Sequence, residues 1–165
     1  MVTVTPNIEK EIFTVKYDEV KRIDEVSFEK VSNWIDGALE GGSNYWYFII
    51  DQKKPKKDTC FVGDYPLSED GSFTILDTQE AKNVPELKGY MKIHRSDYGA
   101  DTEWLEKHGT KYTVDINRIA EGLKKFIIAD NERYNQMLND ENGECDSLDD
   151  DVFFQFVVLG ECIYG

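Results

Sequence analysis

Residues 28–50 constrain the fold most, because the pattern of an amphipathic helix runs directly into the pattern of an apolar strand. Behind Ser27, a favoured N-cap residue, apolar side chains recur at helical spacing over residues 28–39. We expect one glycine of the pair 41–42 to end this helix in the left-handed conformation. Residues 45–50 are then expected to form a strand that is buried on both faces, since aromatic and β-branched residues follow one another almost without a break.

The rest of the pattern predicts further strands and one long helix. Strands are expected at residues 12–17, 59–62, 72–76, 90–94 and 111–114. A second amphipathic helix is expected to begin after Asp115 and to run to residue 138. Residues 1–165 are therefore predicted to form a single α+β domain, in which a mainly antiparallel sheet packs against two to four helices.

Residues 152–159 fit a helix or a strand, because they are rich in β-branched and aromatic side chains yet follow the polar stretch 147–150. That stretch has the pattern of a capping box that starts at Ser147, so we predict a buried helix. Gln155 lies inside this apolar run, and it must find a hydrogen-bond partner if it is buried.

The charge of the chain excludes some classes of partner. Its 33 acidic residues against 19 Lys and Arg give a net charge of -14, which repels nucleic acid phosphates and anionic membrane surfaces. Direct binding to nucleic acid or to a membrane is disfavoured, whereas a basic protein partner is not. Seven carboxylates fall within residues 140–151, and Lys53, Lys54, Lys56 and Lys57 form a basic island. Both runs are predicted to be solvated loops.

Targeting and redox features favour the cytoplasm. The start of the chain lacks the basic and apolar regions of a signal peptide, and no apolar run approaches the ~18 residues that span a bilayer. Cys60, Cys145 and Cys162 have no Cys-x-x-Cys spacing, which favours reduced thiols. We expect a soluble, cytoplasmic protein. No metal site and no cofactor is predicted.

The helix–strand junction is the first candidate site for a ligand. Its residues are Gly41, Gly42, Ser43, Asn44, Tyr45 and Trp46. The glycines would let a ligand approach the backbone, the next two side chains offer hydrogen bonds, and the aromatic rings could stack on a planar ligand. The alternative is a helix end followed by a core strand whose aromatic residues pack inward, and the two interpretations have about even weight. The spacing is not that of a dinucleotide-binding loop or a P-loop.

His94 and Arg95 are the second candidate, because they place an imidazole and a fixed cation at the end of a predicted strand. The planar guanidinium group of Arg95 could hold a phosphate or a carboxylate. The alternative is a surface turn in which Arg95 pairs with Asp97. We give this alternative about twice the weight of a ligand site, since an exposed ion pair of modest energetic value is an ordinary feature of a surface turn.

Catalytic motifs do not stand out. There is no Gly-x-Ser-x-Gly elbow, no cysteine has neighbours that would activate it, and the sequence cannot select one pair among its many acids. We therefore predict no catalytic residue, and an enzyme is the minority interpretation.

Three stretches together carry a resemblance to known proteins. They are Ala38-Leu-Glu-Gly-Gly-Ser-Asn-Tyr-Trp-Tyr47, Val114-Asp-Ile-Asn-Arg-Ile-Ala-Glu-Gly-Leu123 and Asp151-Val-Phe-Phe-Gln-Phe-Val-Val-Leu-Gly-Glu-Cys-Ile-Tyr-Gly165. The combination resembles small uncharacterised proteins of bacteriophages and integrated mobile elements. This resemblance implies no catalytic residue. It implies a phage accessory protein in the bacterial cytoplasm, where countering a host defence is a common role.

Two functions are compatible with these features. In the first, the protein binds and sequesters a small nucleotide-like ligand, with residues 41–46 as one wall and His94, Arg95 or the lysine island against its anionic part. In the second, it is an acidic inhibitor that occupies the basic nucleic-acid-binding surface of a host protein through residues 140–151. We place the first slightly ahead, since the junction is specific whereas acidic composition is common. Whether the chain forms a homo-oligomer is left open.

Overall fold

A computed structural model of the chain describes residues 1–42, 46–53, 69–77, 107 and 109–164. Within the elements assigned to these residues are six strands, four α-helices and one π-helical turn. In chain order they are β1 (Val2–Asn7), β2 (Ile12–Tyr17), β3 (Arg22–Ser27), α1 (Phe28–Gly37), the π-helical turn (Ala38–Gly42), β4 (Tyr47–Lys53), β5 (Ser72–Asp77), β6 (Thr110–Asp115), α2 (Ile116–Ala129), α3 (Asn131–Leu138) and α4 (Ser147–Val158). The predicted α+β class is confirmed. The strands predicted at residues 59–62 and 90–94 lie outside the described residues.

The described strands form two antiparallel sheets instead of the one predicted. The first sheet has the order β1-β2-β3, and the second has the order β4-β5-β6. The predictions for β2, β5 and β6 are confirmed, and β4 begins two residues later than expected. The sequence pattern does not predict β1 and β3, because polar residues such as Thr3, Thr5 and Glu25 occupy their exposed positions.

Helix α1 begins where the sequence predicts but ends differently. The side chain of Ser27 accepts a hydrogen bond from the backbone N–H of Lys30 at 3.1 Å, which confirms the N-cap. The prediction of a left-handed glycine at position 41 or 42 is wrong, because the chain passes at Ala38 into the π-helical turn. Such a turn supplies partners for the carbonyl groups at the helix end, so a left-handed cap is not needed.

Helix α4 is the central element of the core, and the prediction of a buried helix is confirmed. Its cap is one residue earlier than expected, since the Asp146 carboxylate accepts from the backbone N–H of Leu148 at 2.8 Å and forms a capping box with Asp149. Residues 153–158 of α4 are all buried, as expected for a helix that is apolar on every side. Among the described helices, none has the length and apolarity needed to cross a membrane.

The long helix predicted after Asp115 is two helices. Asp115 caps α2 through the backbone N–H of Arg118 at 2.8 Å, as predicted. The chain then breaks at Asp130, whose side chain accepts from the backbone N–H of Arg133 at 3.0 Å and starts α3. An aspartate inside an apparently continuous helical pattern therefore acts as the N-cap of a new helix.

The two sheets and the helices share one hydrophobic cluster in the described part of the chain. Trp34 and Phe126, predicted to be buried, are 7% and 0% exposed. Both rings contact Phe153 of α4, with centroid distances of 5.3 and 5.6 Å. Helix α4 therefore joins α1 and α2 through aromatic contacts.

A glycine allows α2 and α4 to cross closely. A Cβ atom at Gly122 would collide with the Cα atom of Val157 and would lie 2.8 Å from its backbone nitrogen. Both of these atoms belong to the α4 backbone, so a side chain at position 122 would force the two helices apart.

A partly buried aspartate ties the first sheet to α3. The carboxylate of Asp24 accepts from Arg22 Nε and Nη2, both at 2.9 Å, and from the hydroxyl groups of Tyr17 and Tyr134 at 3.1 and 3.0 Å. Arg22 Nη2 also donates to Asn135 of α3 at 2.6 Å. Burial raises the pKa of Tyr134 above its ordinary value, and the charge of Asp24 adds to the shift. Tyr134 therefore remains a neutral hydrogen-bond donor.

Candidate functional site

The predicted ligand site at the helix–strand junction is only partly described. Gly41 and Gly42 lie in the π-helical turn that follows α1. Ser43, Asn44 and Tyr45 lie outside the described residues, and the structure therefore leaves their proposed roles as predictions. His94 and Arg95, and the basic island from residue 54 to residue 57, also lie outside the described residues. Lys53 is the last residue of β4, and it is exposed.

Trp46 belongs to the core in this structure. Its side chain is 0% exposed, and its Nε1–H donates to Asp151 Oδ1 at 2.9 Å. The rings of Tyr47 and Tyr164 pack against it, with centroid distances of 4.8 and 5.6 Å. These contacts match the alternative interpretation of the junction, in which the aromatic residues pack inward. The indole ring thus has no face toward solvent on which a ligand could stack.

The partner of Trp46 is part of a buried polar network that the sequence does not show. Asp151 and Gln155 lie one turn apart on α4, and Gln155 Nε2 donates to Asp151 Oδ2 at 2.9 Å. Gln155 Oε1 accepts from the backbone N–H groups of Ile163 and Tyr164 at 2.9 and 2.7 Å. The expectation that a buried Gln155 finds partners is confirmed. The network fastens the segment after α4 to the core.

A second buried carboxylate meets the same segment from the other side. The hydroxyl group of Tyr164 donates to Asp77 Oδ2 at 2.9 Å, and Asp77, the last residue of β5, is 2% exposed. Both buried aspartates thus accept hydrogen bonds from neutral groups of the core, as buried carboxylates require.

The prediction of a solvated loop for the acidic run 140–151 holds for residues 140–146, which are outside the helices and mostly exposed, and is wrong for the remainder. Its last part is the first turn of α4, and Asp151 is 3% exposed. Asp140 organises the stretch before the helix, since its carboxylate accepts from the backbone N–H groups of Glu144 and Cys145 at 2.9 and 3.0 Å. These hydrogen bonds lower the pKa of Asp140. The stretch before α4 is therefore held in one conformation by hydrogen bonds between its backbone and the Asp140 carboxylate.

Carboxylates from two distant parts of the chain meet on one surface, which we call the acidic face. We define it as Glu29 of α1 together with the acids of the adjoining segment, which are Asp140, Glu141, Glu144, Asp146, Asp149 and Asp150. Glu29 and Asp140 line one cleft, which brings the start of α1 next to the acidic segment. Gly37 of the same helix lies against the side chain of Asp150, so α1 and the acidic segment are also in contact further along.

Asp150 is a partly buried acid of this face whose charge is disfavoured by burial and by its acidic neighbours. A Cβ atom at Gly37 would collide with Asp150 Oδ2, so this carboxylate is pressed against the backbone of α1. Burial raises the pKa of Asp150 from 3.8 to about 7, and the charges of Asp149, Asp146 and Asp140 add to the shift. At neutral pH the folded protein therefore holds a partly buried carboxylate close to three others.

The thiol of Cys145 lies in the same negative field. Burial, together with the charges of Asp140 and Asp149, raises its pKa from 9.0 to about 11. A thiol in this setting is protonated and unreactive.

Two cations lie at the border of the acidic face. Arg133 Nε is 3.3 Å from Asp149 Oδ1, and Lys30 Nζ donates to the backbone carbonyl of Leu138 at 2.6 Å.

The cleft at this border has a volume of about 350 Å³. Its lining includes Glu29, Lys30, Asn33, Trp34, Met137 and Asp140. Trp34 and Met137 are nearly inaccessible, and we call them the floor of the cleft, whereas the more exposed Glu29 and Asp140 are its walls. In the part of the chain that the structure describes, no group of three or more His, Cys, Asp or Glu side chains is arranged to hold a metal ion.

The chain was compared with protein-family models, with curated proteins and with solved structures, and none of the three comparisons gives a match. A functional assignment must therefore rest on the geometry and charge of the described residues.

Proposed function

We propose that this protein is a non-enzymatic inhibitor that uses its acidic face to occupy the basic nucleic-acid-binding surface of a host protein. In this proposal it is an accessory protein of a bacteriophage or mobile element that acts in the bacterial cytoplasm, with a host defence protein as the target. The context follows from the resemblance of its three sequence stretches. The mode of action follows from the acidic face.

The observation that carries the proposal is the position of Asp150, a partly buried carboxyl group whose charge is further disfavoured by the nearby charges of Asp140, Asp146 and Asp149. Burial, and after it the charges of these three carboxylates, disfavours the ionised form of Asp150 and so destabilises the folded state at neutral pH. A cationic partner would remove part of this cost, because each cation placed near the face favours the ionised form of the acids. Binding energy would thus come from relief of repulsion that the free protein already contains.

The net charge of -14 supports the same function. A surplus of negative charge steers a basic surface toward the protein and accelerates the encounter. It also repels nucleic acid itself, so the protein would compete with nucleic acid for the same basic surface without binding it.

A second candidate is the sequestration of a small nucleotide-like ligand at the junction. One observation favours it: the π-helical turn Ala38–Gly42 precedes the predicted ligand residues, and such turns are frequent at functional sites. We rank it second because the ring of Trp46, the largest predicted stacking surface, is closed to solvent. Calorimetric titration of nucleotides and cyclic nucleotides tests it, with Asn44→Ala and Arg95→Ala as variants. Absence of binding below ~1 mM, or unchanged binding by both variants, would exclude this candidate.

The inhibitor function is tested by competition. Basic proteins that bind the immobilised wild type in a bacterial extract are identified and purified. Each is then loaded with fluorescent DNA or RNA, and displacement by the wild type is followed by anisotropy. The acidic-face variant combines Glu29→Gln, Glu141→Gln and Glu144→Gln, since these three exposed side chains have no hydrogen-bond or ion-pair partner among the described residues.

The matched control combines Glu9→Gln, Glu11→Gln and Glu25→Gln, which change the net charge equally but lie on the first sheet and its first turn. Loss of three exposed ion pairs at about 0.2–1 kcal/mol each predicts roughly tenfold weaker displacement by the acidic-face variant. The control should change less than about threefold, because it affects only long-range attraction. Equal losses in the two variants, or a wild type that displaces no nucleic acid, would refute the proposal.

A further inference from the structure

We propose that the cleft between α1 and the end of α3 accepts the guanidinium group of one arginine side chain from the basic partner. This inference rests on the proposed function and names the contact at which the partner would be anchored.

The floor suits the stem of a long cationic side chain. Trp34 and Met137 both line the cleft and are only 7% and 1% exposed, so they supply a largely buried apolar part of its lining. Arginine covers such a surface with its methylene groups while its charged group stays near the polar rim. The volume of about 350 Å³ lies at the small end of ligand pockets, which is appropriate for one side chain.

The walls suit a cation with several donors. Glu29 and Asp140 each present a carboxylate that has no ion-pair partner among the described residues. The oxygen atoms of Asp140 accept two backbone hydrogen bonds, which hold the carboxylate in place. Asn33 adds a side-chain amide on the exposed side of α1. A planar guanidinium group can donate to two carboxylates and an amide at once, whereas an ammonium group has fewer donors.

The cation of the protein itself does not neutralise these walls. Lys30 also lines the cleft, but its ammonium group donates to the carbonyl of Leu138 at the end of α3. That carbonyl lies at the negative end of a helix dipole, so this border of the cleft already stabilises one positive charge. The two carboxylates outnumber this ammonium group, so the lining carries a net negative charge that disfavours an anion. Charge complementarity therefore selects a cation as the occupant.

The experiment uses two peptides and needs no host protein. Acetyl-Gly-Gly-Arg-Gly-Gly-amide is titrated into the isotope-labelled full chain, and the same peptide with citrulline in place of arginine is the neutral control. The indole N–H of Trp34 and the side-chain amide of Asn33 are followed by NMR. The buried indole of Trp46 serves as the internal reference. We expect saturable shifts at millimolar arginine peptide, and at least fivefold weaker binding of the citrulline peptide.

Three variants decide whether the cleft is the site. Glu29→Gln should weaken the arginine peptide about fivefold, and Asn33→Lys should abolish binding by placing a cation in the cleft. Ile128→Lys adds the same charge at a residue of α2 that is 61% exposed, and it should bind like the wild type. Equal binding of the two peptides, no saturation, or unchanged binding by Asn33→Lys would overturn the inference. Because displacement of nucleic acid is measured separately, these results distinguish failure of the cleft from failure of the inhibitor function.

Discussion

Replacing Asp150 by asparagine should stabilise the protein at alkaline pH, although it removes a charge from the first turn of a helix. Two opposite effects act on this residue. Burial and the neighbouring carboxylates disfavour its charge, whereas the dipole of α4 favours a negative charge in its first turn. Their magnitudes decide the sign of the effect.

The pKa of Asp150 rises from 3.8 to about 7 on folding. At about 1.4 kcal/mol for each pH unit, this shift corresponds to an upper limit of about 4 kcal/mol. Because the side chain is partly exposed, solvent screening reduces the cost to about 1–2 kcal/mol. The helix dipole contributes only about 0.3–1 kcal/mol in the opposite direction. The substitution should therefore stabilise the folded state by about 1 kcal/mol.

The sign of the pH dependence follows from the raised pKa of Asp150. Between pH 4 and pH 7 the folded state binds this proton more tightly than the unfolded state, so rising pH reduces the stability of the wild type over this range. Asparagine cannot titrate. The difference between the variant and the wild type should therefore be largest above pH 7 and about half as large near pH 5.5.

Urea unfolding followed by circular dichroism at pH 5.5 and pH 8.5 measures this difference, and NMR titration of the Asp150 carboxyl carbon measures the pKa directly. Glu141→Gln is the control, because it removes an exposed charge from the same segment and should change the free energy of unfolding by less than about 0.5 kcal/mol. Destabilisation by Asp150→Asn at pH 8.5, or a pKa near 4, would refute the repulsion argument.

Three further predictions concern the core. Gly122→Ala should lower the free energy of unfolding by about 1–3 kcal/mol, because the collision with the Val157 backbone outweighs the gain of about 1 kcal/mol in helix propensity. Asp24→Asn should destabilise by about 2–3 kcal/mol, since the amide cannot accept the hydrogen bonds of both Arg22 and the tyrosines. Gln155→Leu should release residues 161–164, seen as faster amide hydrogen exchange there than in α2.

Substitutions of neighbouring residues serve as controls, because they show whether any change in these segments lowers the free energy of unfolding. Glu121→Ala changes the residue before Gly122, and Glu25→Gln changes the residue after the partly buried Asp24 of β3. Both should change the free energy of unfolding by less than about 0.5 kcal/mol. A stabilising Gly122→Ala would mean that α2 and α4 are further apart than described. If Asp24→Asn is as stable as the wild type, the hydrogen bonds of the Asp24 carboxylate make no net contribution to the free energy of unfolding. Unaltered exchange in Gln155→Leu would mean that other contacts hold the C-terminal segment.

Local signals explain what the sequence predicts correctly. Ser27 and Asp115 are capping residues directly before apolar helical patterns, and both helices begin there. Asp130 is a capping residue of the same kind, and it starts α3. The sequence does not reveal this break, because the apolar helical pattern continues on both sides of Asp130. The start of a helix depends on one side chain and a few backbone groups, and it is therefore accessible from the sequence.

Long-range pairing explains what the sequence does not predict. That β1 to β3 and β4 to β6 form separate sheets depends on contacts between distant residues, and no local pattern encodes it. The same reason applies to the candidate site. Glu29 is one acid among many until α1 is packed against the acidic segment. The two interpretations of Trp46 are equally compatible with the sequence, because an aromatic residue near a glycine pair suits a pocket or a core.

The central claim is that the acidic face, and not the total charge, binds a basic partner. Chemical-shift mapping with a ten-residue peptide of alternating lysine and glycine tests this claim on the isotope-labelled full chain at physiological salt. We predict that the largest amide shifts occur at Glu29 and in residues 140–150, and that high salt abolishes them. Shifts that spread evenly over all exposed carboxylates, or that are largest at Gly41 and Gly42, would contradict the claim.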